Sequence, residues 1–170
     1  RVKVFDGSRL KWLAKKECRF KYRESIFKRV NLAILEAEFI FREGNPKRLE
    51  RRAAEILKTR LLKYPQGMKC PGSFFKNVLI KDLSPQILAK IPKEKIVYAK
   101  IPAGYFLEAV GAKGKRKGDI QIADYHANLF FSLGKGRAKD FYSLAKSYQD
   151  KVKEKFGIKL EPEVQLIGFK

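Results

Sequence analysis

The stretch PGSFFKN at residues 71–77 decides how the chain divides and where chemistry could take place. It closes a segment, residues 63–72, that holds two prolines and two glycines, a composition typical of a linker between domains. In a short strand, Ser73, Phe75 and Asn77 share one face and could present a hydroxyl and an amide to one ligand. A plain strand edge after a turn explains the same pattern, so the stretch by itself leaves both interpretations open.

Upstream of this stretch, the sequence predicts a β-hairpin, a strand and a helix. The turn sequence DGS at residues 6–8 separates two runs of alternating apolar residues, as in a tight hairpin. Residues 32–41 predict a strand with one polar face. Asn45 and Pro46 predict the N-cap and first position of a helix that ends near Leu62. One face of that helix is expected to be apolar and to carry Leu49, Ala53, Ile56, Leu57 and Leu61.

Downstream, the sequence predicts short helices and strands, followed by one long helix. Capping and proline signals predict helices at residues 85–91, 102–110 and 138–156, the last ended by Gly157. Apolar runs predict strands at residues 96–101, 119–122, 128–133 and 164–169. This mixture predicts an α+β fold, with a compact domain over about residues 67–157.

The chain is strongly basic, with a formal net charge of +21 from 39 lysines and arginines against 18 acids. One interpretation is a basic α+β module that binds RNA or another polyanion. The cations are spread along nearly the whole chain rather than gathered in one arm, which is typical of a solvated surface. They suit any phosphate-bearing ligand equally well, so we expect no nucleic-acid partner.

Cysteine and histidine counts limit the metal and redox chemistry. The two cysteines, Cys18 and Cys70, give neither a disulfide framework nor zinc-ligand spacing, and the single histidine, His126, cannot build a metal cluster by itself. A reducing cytoplasm fits these counts. No apolar run is long enough to span a membrane, so no membrane association is expected.

Two further segments place charged side chains where they could act on a ligand. The segment FKYRES at residues 20–25 sets Arg23 among aromatic residues, and its guanidinium could point into a pocket. Stacking of that guanidinium on Tyr22 is the simpler explanation. The segment LEPEV at residues 160–164 sets Glu163 at the start of the predicted terminal strand, where an acid could handle a proton. A solvated strand end is again the simpler explanation.

The common catalytic motifs are missing from the sequence. It contains no nucleophile elbow, no Walker-type phosphate loop and no dinucleotide glycine fingerprint. Ser73 has no obvious histidine partner that would activate it as a nucleophile. The serine is therefore better suited to delivering a proton than to attacking a carbonyl.

Together, these segments follow the order seen in one family, and the chain resembles the UDP-N-acetylenolpyruvoylglucosamine reductases from residue 1 to its end. The matching segments are YRES at 22–25, GSFFKN at 72–77, AGYFLE at 103–108, GAKG at 111–114, HAN at 126–128, FGI at 156–158, LEPEV at 160–164 and IG at 167–168. Any one of them is a weak signal, but all of them in order make a strong one. The chain departs from the family's usual residues at Gly118-Asp119, Ile122-Ala123 and Ser132. The short stretch from Leu32 to Gly72 leaves no room for the tyrosine-bearing loop of one subgroup.

The resemblance implies a reduction that depends on FAD and NADPH. NADPH reduces FAD, and the flavin passes a hydride to the enolpyruvyl double bond of a UDP-sugar, which yields UDP-N-acetylmuramate for peptidoglycan. By the same resemblance, Ser73 gives the proton, while Arg23 and Glu163 stabilise the developing enolate. The resemblance also assigns contacts with the UDP-sugar to Asn77, His126 and Lys63, and contacts with the cofactor to Tyr22 and Ser25.

The resemblance further implies three regions. Residues 1–66 correspond to the tail of an FAD-binding domain, residues 67–157 to a compact α+β substrate-binding domain, and residues 158–170 to a terminal strand that returns to the active site. The flavin phosphate-binding half is expected to precede Arg1, so this chain alone would hold FAD weakly. A monomer is expected.

Overall fold

The structure, a computed structural model, describes residues 1–168. It forms two compact units, one of residues 1–63 and one that starts at Tyr64. The division falls at the start of the proline- and glycine-rich segment. Helices and small antiparallel sheets are mixed in the chain, so the predicted α+β class is confirmed.

Unit 1 begins with the predicted hairpin. Strands β1 (Val2–Phe5) and β2 (Leu10–Leu13) pair antiparallel, and β3 (Ala33–Ala37) pairs with the other edge of β1. The Asp6 carboxylate closes the turn, since it accepts hydrogen bonds from the Ser8 and Arg9 backbone N–H groups at 3.1 and 3.0 Å. The Lys11 ammonium, 2.7 Å from Asp6, and these backbone donors hold the pKa of that carboxyl well below its usual range.

Helix α1 (Pro46–Lys63) closes unit 1 and begins where the sequence predicts. The Asn45 side chain accepts a hydrogen bond from the Arg48 N–H at 3.1 Å, so it is the N-cap. No residue of the helix is buried among the described residues, and Leu62 is 80% exposed. The predicted apolar face of α1 is therefore present but uncovered.

The core of unit 1 is small. Its buried apolar residues are Val4, Leu13 and Cys18, with a few half-buried neighbours packed around them. The predicted strand over residues 32–41 is shorter than expected, because β3 ends at Ala37 and the chain that follows is irregular. That irregular stretch exposes Phe39, Ile40 and Phe41, so unit 1 presents apolar surface on its strand side as well as on its helix.

Unit 2 contains two small sheets and three helices within the described residues. Strands β4 (Val78–Leu79) and β5 (Lys100–Ile101) form one sheet, and β6 (Arg116–Lys117), β7 (Ile120–Ala123) and β8 (His126–Ser132) form the other, all antiparallel. The helices are α2 (Pro85–Leu88), α3 (Ala103–Ala109) and α4 (Ala138–Phe156).

One apolar core joins these elements. Helices α3 and α4 contribute Phe106, Leu107, Leu144 and Val152, which are buried with residues of β7 and β8. A group of aromatic rings, Phe74, Phe75, Phe130 and Phe141, packs with neighbouring ring centres 4.8 to 6.3 Å apart. Burial of a Phe side chain contributes about 1.5–3 kcal/mol. The core therefore anchors the stretch at residues 71–77, which supplies two of these rings.

The strand predicted at residues 96–101 is wrong for all but its last two residues. Tyr98 and Ala99 have φ angles of 48° and 57°, and they form a two-residue turn that pairs Val97 with Lys100. Two successive residues in the left-handed region cannot continue a strand. The chain therefore folds back on itself before β5 starts.

The predicted terminal strand is also wrong over residues 164–168, which are irregular; Phe169 lies outside the described residues. The neighbouring chain explains this difference. Pro162 pairs with Phe75, so a continued ladder would reach Gly72 within three residues. Gly72 has a φ of 85°, outside the strand region, so a regular ladder would be interrupted there.

The long helix α4 ends as predicted. Gly157 has a φ of 69°, and its N–H donates to the Lys153 carbonyl at 2.8 Å. This is a left-handed C-terminal cap, a backbone conformation that suits glycine. Among the described residues, no helix is both long and apolar enough to cross a membrane.

We expect Gly157→Ala to lower the free energy of unfolding by about 1 kcal/mol, because an L-residue is strained at positive φ. A Cβ at this position would meet Ile87 Cδ1 only at 4.0 Å, so the loss would be conformational rather than steric. Urea unfolding followed by circular dichroism measures it. Gly157→Asn serves as the matched control and should lose less, since Asn tolerates this region. An alanine variant as stable as the wild type would contradict this assignment of the cap.

Candidate active site

A cavity of about 380 Å³ in unit 2 brings together three segments that lie far apart in the sequence. The segments are residues 73–77, the start of α3, and the turn between β7 and β8 with the first residues of β8. They carry Ser73, Asn77 and His126 into one space, together with Tyr105, Glu108 and Tyr125. Lys95, from the 3-10 turn Lys93–Lys95, also lines the cavity. Three residues proposed from the sequence thus line the same cavity.

Backbone hydrogen bonds of Ser73 and of the next residue, Phe74, hold the serine in place. It forms a β-bridge with Leu129 of β8, and the Phe74 N–H donates to the Asn128 carbonyl at 3.0 Å. On the other side, the Phe74 carbonyl accepts from the Glu163 N–H at 2.7 Å. The serine is half-buried and lines the cavity, and these bonds fix the backbone on which it stands.

The expected strand at residues 73–77 is replaced by single bridges to two different partners. Ser73 pairs with Leu129, whereas Phe75 pairs with Pro162. Ser73 and Asn77 line the cavity as expected, but Phe75 is buried among the aromatic rings. The shared face predicted from strand periodicity therefore holds for the two polar residues and fails for the phenylalanine.

Asn77 has a structural role in addition to its place in the cavity. Its side-chain oxygen accepts a hydrogen bond from the Ala103 N–H at 3.2 Å, the first residue of α3. Pro102, which precedes the helix, has no side-chain oxygen to cap it. Asn77 thus caps α3 from a distant segment, and the same hydrogen bond fixes the position of its side chain.

His126 is held in one tautomer by its neighbour. Its Nδ1 accepts a hydrogen bond from the Asn128 backbone N–H at 3.1 Å, so the neutral ring carries its proton on Nε2. The ring is half-buried and lines the cavity. In this tautomer, Nε2 is a hydrogen-bond donor suited to a phosphate or carbonyl oxygen.

Glu163 lies beside the Ser73 segment but does not line the 380 Å³ cavity. Its backbone N–H binds the Phe74 carbonyl, and its side chain is half-buried. The backbone carbonyl of the neighbouring Glu161 accepts a hydrogen bond from the Lys76 N–H of the same segment, at 2.8 Å. Residues 161–163 and 73–76 therefore form one hydrogen-bonded pair of segments.

The other proposed residues belong to unit 1. Tyr22 and Arg23 are the centre of a tight turn, in which Lys21 and Glu24 exchange backbone hydrogen bonds at 2.9 and 3.3 Å. Arg23 has a φ of 55°, and its guanidinium carbon is 5.9 Å from the centre of the Tyr22 ring. A non-glycine residue in this region stores strain of about 1–2 kcal/mol, a feature that recurs at ligand sites.

Ser25 and Lys63 lie at two other places in unit 1. Ser25 has an extended backbone and precedes a short 3-10 turn, Ile26–Lys28. It lines a cavity of about 340 Å³ with the cationic side chains of Arg19, Lys21 and Arg29. Lys63 is the half-buried last residue of α1.

Tyr125 is a cavity residue that the sequence did not single out. Partial burial of its hydroxyl, with smaller contributions from Cys70 and Tyr64, raises the pKa of the phenol. A phenol is already neutral at physiological pH, and this shift moves its ionisation further away. Its position in the turn before His126 could not be assigned from the sequence, because an exposed turn tyrosine has no distinctive pattern.

Asn128 is the second residue that the sequence did not assign to the site. It lies in the apolar stretch ANLFF of β8 and is 2% exposed. A buried asparagine among apolar strand residues needs partners for its amide, and this is the signal that could have identified it.

A larger cavity in unit 2, about 620 Å³, is mainly apolar and holds none of the site residues proposed from the sequence. Cys70, Phe74, Phe141 and Tyr142 are among its walls. Over residues 1–168, no cluster of three or more histidine, cysteine or acidic side chains could hold a metal ion. The polar donors of the smaller cavity make it the better candidate for a polar ligand.

Comparison with known proteins agrees with this fold. The family model for the C-terminal domain of UDP-N-acetylenolpyruvoylglucosamine reductase matches residues 64–167. The reductase of Solibacter usitatus is 45% identical over 168 residues, which cover 98% of this chain and 54% of that protein. The reductase of Thermotoga maritima is 30% identical over 165 residues, which cover 97% of this chain and 51% of that protein.

A solved structure is similar over nearly the whole chain. The crystal structure of UDP-N-acetylenolpyruvylglucosamine reductase from Thermus caldophilus aligns with a TM-score of 0.62 at 27% identity. The alignment covers 96% of this chain and 51% of that one, so the chain spans about half the length of the relatives it matches. The chain therefore belongs to the UDP-N-acetylenolpyruvoylglucosamine reductase family.

Proposed function

We propose that this chain supplies the substrate-binding part of an enzyme that reduces UDP-N-acetylglucosamine enolpyruvate to UDP-N-acetylmuramate for peptidoglycan. The observation that carries the proposal is the 380 Å³ cavity, in which Ser73, Asn77 and His126 meet within the region that matches the family model. The cavity offers a hydroxyl, an amide and a neutral imidazole donor. These groups suit a substrate that combines a diphosphate, a sugar and an enolpyruvyl carboxylate.

Ser73 is the proton donor in this proposal. The hydride adds to one carbon of the enolpyruvyl double bond, and the electron pair moves towards the carboxylate as an enolate. The second carbon then takes a proton from the Ser73 hydroxyl, which regains one from solvent. Backbone pairing with Leu129 and Asn128 fixes the serine for this transfer.

Arg23 and Glu163 stabilise the charge that develops on the enolate. A guanidinium lowers the energy of a forming carboxylate-centred anion. By the resemblance, Glu163 contributes to the same stabilisation. Arg23 stands at the strained centre of its turn, and Glu163 is bonded to the residue after Ser73. These two observations support the roles, which rest on the resemblance of both motifs to those of the family.

The UDP part of the substrate is assigned to Asn77, His126 and Lys63. His126 can donate from Nε2 to an oxygen of the diphosphate, since its Nδ1 is already engaged by Asn128. Asn77 lies along the same wall, beside the start of α3. Lysine at the end of α1 supplies positive charge suited to a phosphate.

The residues of unit 1 fit a bound FAD in the chemistry they offer. The Lys21–Glu24 turn offers the Tyr22 ring and hydroxyl and the Arg23 guanidinium, and Ser25 after it offers a hydroxyl. These groups are suited to contacts with a flavin ring system and its phosphates. FAD, reduced by NADPH, would supply the hydride for the double bond. Residues 1–66 are assigned to the FAD-binding domain, and residues from 158 onward to a segment that supports the active site.

Exposed apolar surface in unit 1 supports the view that more of the flavin domain packs there. The face of α1 and the irregular stretch after β3 are uncovered among the described residues, and Ile40 is 95% exposed. Exposed apolar residues in such number are typical of an interface. Both thiols are free, which suits a reducing cytoplasm, and we place the reaction there and expect a monomer.

In the full-length protein, we expect Ser73→Ala to slow formation of UDP-N-acetylmuramate by about 10²–10⁴-fold, the usual contribution of a general acid. NADPH-driven flavin reduction should keep its wild-type rate, since that step does not use this proton. Stopped-flow absorbance separates the two half-reactions. Ser73→Cys, which keeps an ionisable hydrogen, is the matched control and should retain more activity. Wild-type turnover in Ser73→Ala would show that another group gives the proton.

Flavin content provides a separate prediction. We expect the full-length protein to purify with the absorbance spectrum of bound FAD and this chain alone to be colourless, because residues 1–63 have only a small core of their own. Spectra of the two proteins at equal concentration, before and after added FAD, measure this. A full-length protein that stays colourless when FAD is added would refute the proposed cofactor.

A further inference from the structure

Asn128 carries a polar side chain into the apolar core beside the cavity. It is 2% exposed, and its flanking residues Ala127 and Leu129 are equally buried. A buried amide is unfavourable unless all of its hydrogen-bonding atoms find partners. The partners it has therefore show what it holds in place.

Both atoms of the amide bind the backbone of one residue. The Asn128 Oδ1 accepts from the Phe75 N–H at 2.9 Å, and the Nδ2 donates to the Phe75 carbonyl at 2.8 Å. The two residues are 53 positions apart. The side chain thus takes the place of a neighbouring β-strand and pairs both backbone groups of Phe75.

The backbone of Asn128 reaches the same site. Its carbonyl accepts from the Phe74 N–H at 3.0 Å, and its N–H donates to His126 Nδ1 at 3.1 Å. The opposite side of the segment is bonded to Glu161 and Glu163. Asn128 is therefore at the centre of a set of bonds that joins β8, the Ser73 segment and the chain that carries Glu163.

We propose that Asn128 is a positioning residue, whose side-chain amide fixes the backbone of Phe75 and so aims the Ser73 hydroxyl. This inference rests on the proposed function, because it assigns Ser73 as the group that is positioned. A displacement of about 1 Å in a reacting group can cost about 10²-fold in rate. Two bonds to the second residue after the serine are close enough to set its position.

Other side chains cannot make this pair of bonds. Leucine has a similar volume but leaves the Phe75 N–H and carbonyl without partners in the core. Aspartate keeps the acceptor for the N–H but, when ionised, has no donor for the carbonyl. Neither change touches the backbone N–H that binds His126, so the tautomer of the histidine should be preserved. Asn128 also lines the cavity, so KM is measured together with kcat.

The test is a double-mutant cycle in the full-length protein with its flavin bound, using Asn128→Leu, Ser73→Ala and the double variant. We expect Asn128→Leu to lower kcat for product formation by about 10–100-fold with little change in KM. In the Ser73→Ala background, the same change should cost less than about twofold, because no proton donor is left to position. Flavin reduction by NADPH should be unchanged in all of them.

Asp140→Asn is the matched control. Asp140 is also buried, and its carboxylate accepts two hydrogen bonds from the Arg137 guanidinium, at 2.9 and 3.2 Å. It does not line the cavity. It should lower the melting temperature without lowering kcat. Should Asn128→Leu fail to fold, Asn128→Asp takes its place in the same cycle.

Three results would overturn the inference. An equal loss of kcat in the wild-type and Ser73→Ala backgrounds would show that Asn128 acts independently of the serine. An unchanged kcat in Asn128→Leu would show that its bonds are dispensable. A wild-type protein that binds FAD but does not reduce the enolpyruvyl sugar would remove the proposed function itself, which distinguishes that failure from the other two.

Discussion

The pairing of the Ser73 segment with its two neighbours is the constraint on which the rest of the site depends. On one side lie β8 and the amide of Asn128; on the other lie residues 161–163. The segment itself is not part of a regular strand, so these bonds replace the ladder that a sheet would supply. Burial of Phe74 and Phe75 among other rings holds the segment against the core. Ser73 and Asn77, which precede and follow these rings in the sequence, line the cavity.

Most of the local structure could be predicted because its signals are local. The hairpin at residues 6–8, the cap at Asn45 and the end of α4 at Gly157 each depend on a few adjacent residues, and all three are present. The predicted terminal strand is absent over residues 164–168, because a strand needs a regular partner and the backbone of Gly72 lies outside the strand region. The strand at residues 96–101 failed because two neighbouring residues take the left-handed conformation, and no glycine marks the turn.

Part of the site could also be predicted from the sequence. Strand periodicity predicts that Ser73 and Asn77 lie together, and both line the cavity, but Phe75 between them is buried in the core instead of sharing their face. His126 joined them only through resemblance to the family, since no local pattern connects it to residue 73. Asn128 belongs to one of the matching motifs, but the sequence assigned it no role. Its partner Phe75 lies 53 residues away, so their hydrogen bonds are visible only when the two segments are packed.

The central claim is that the cavity lined by Ser73, Asn77 and His126 receives the UDP-sugar. The most direct measurement is a crystal structure of the full-length protein with UDP-N-acetylglucosamine enolpyruvate bound. We expect ligand density in this cavity, with the enolpyruvyl group within hydrogen-bonding reach of the Ser73 hydroxyl and the diphosphate beside His126 and Asn77. Density in the larger apolar cavity, or a Ser73 hydroxyl out of reach of the enolpyruvyl group, would contradict it.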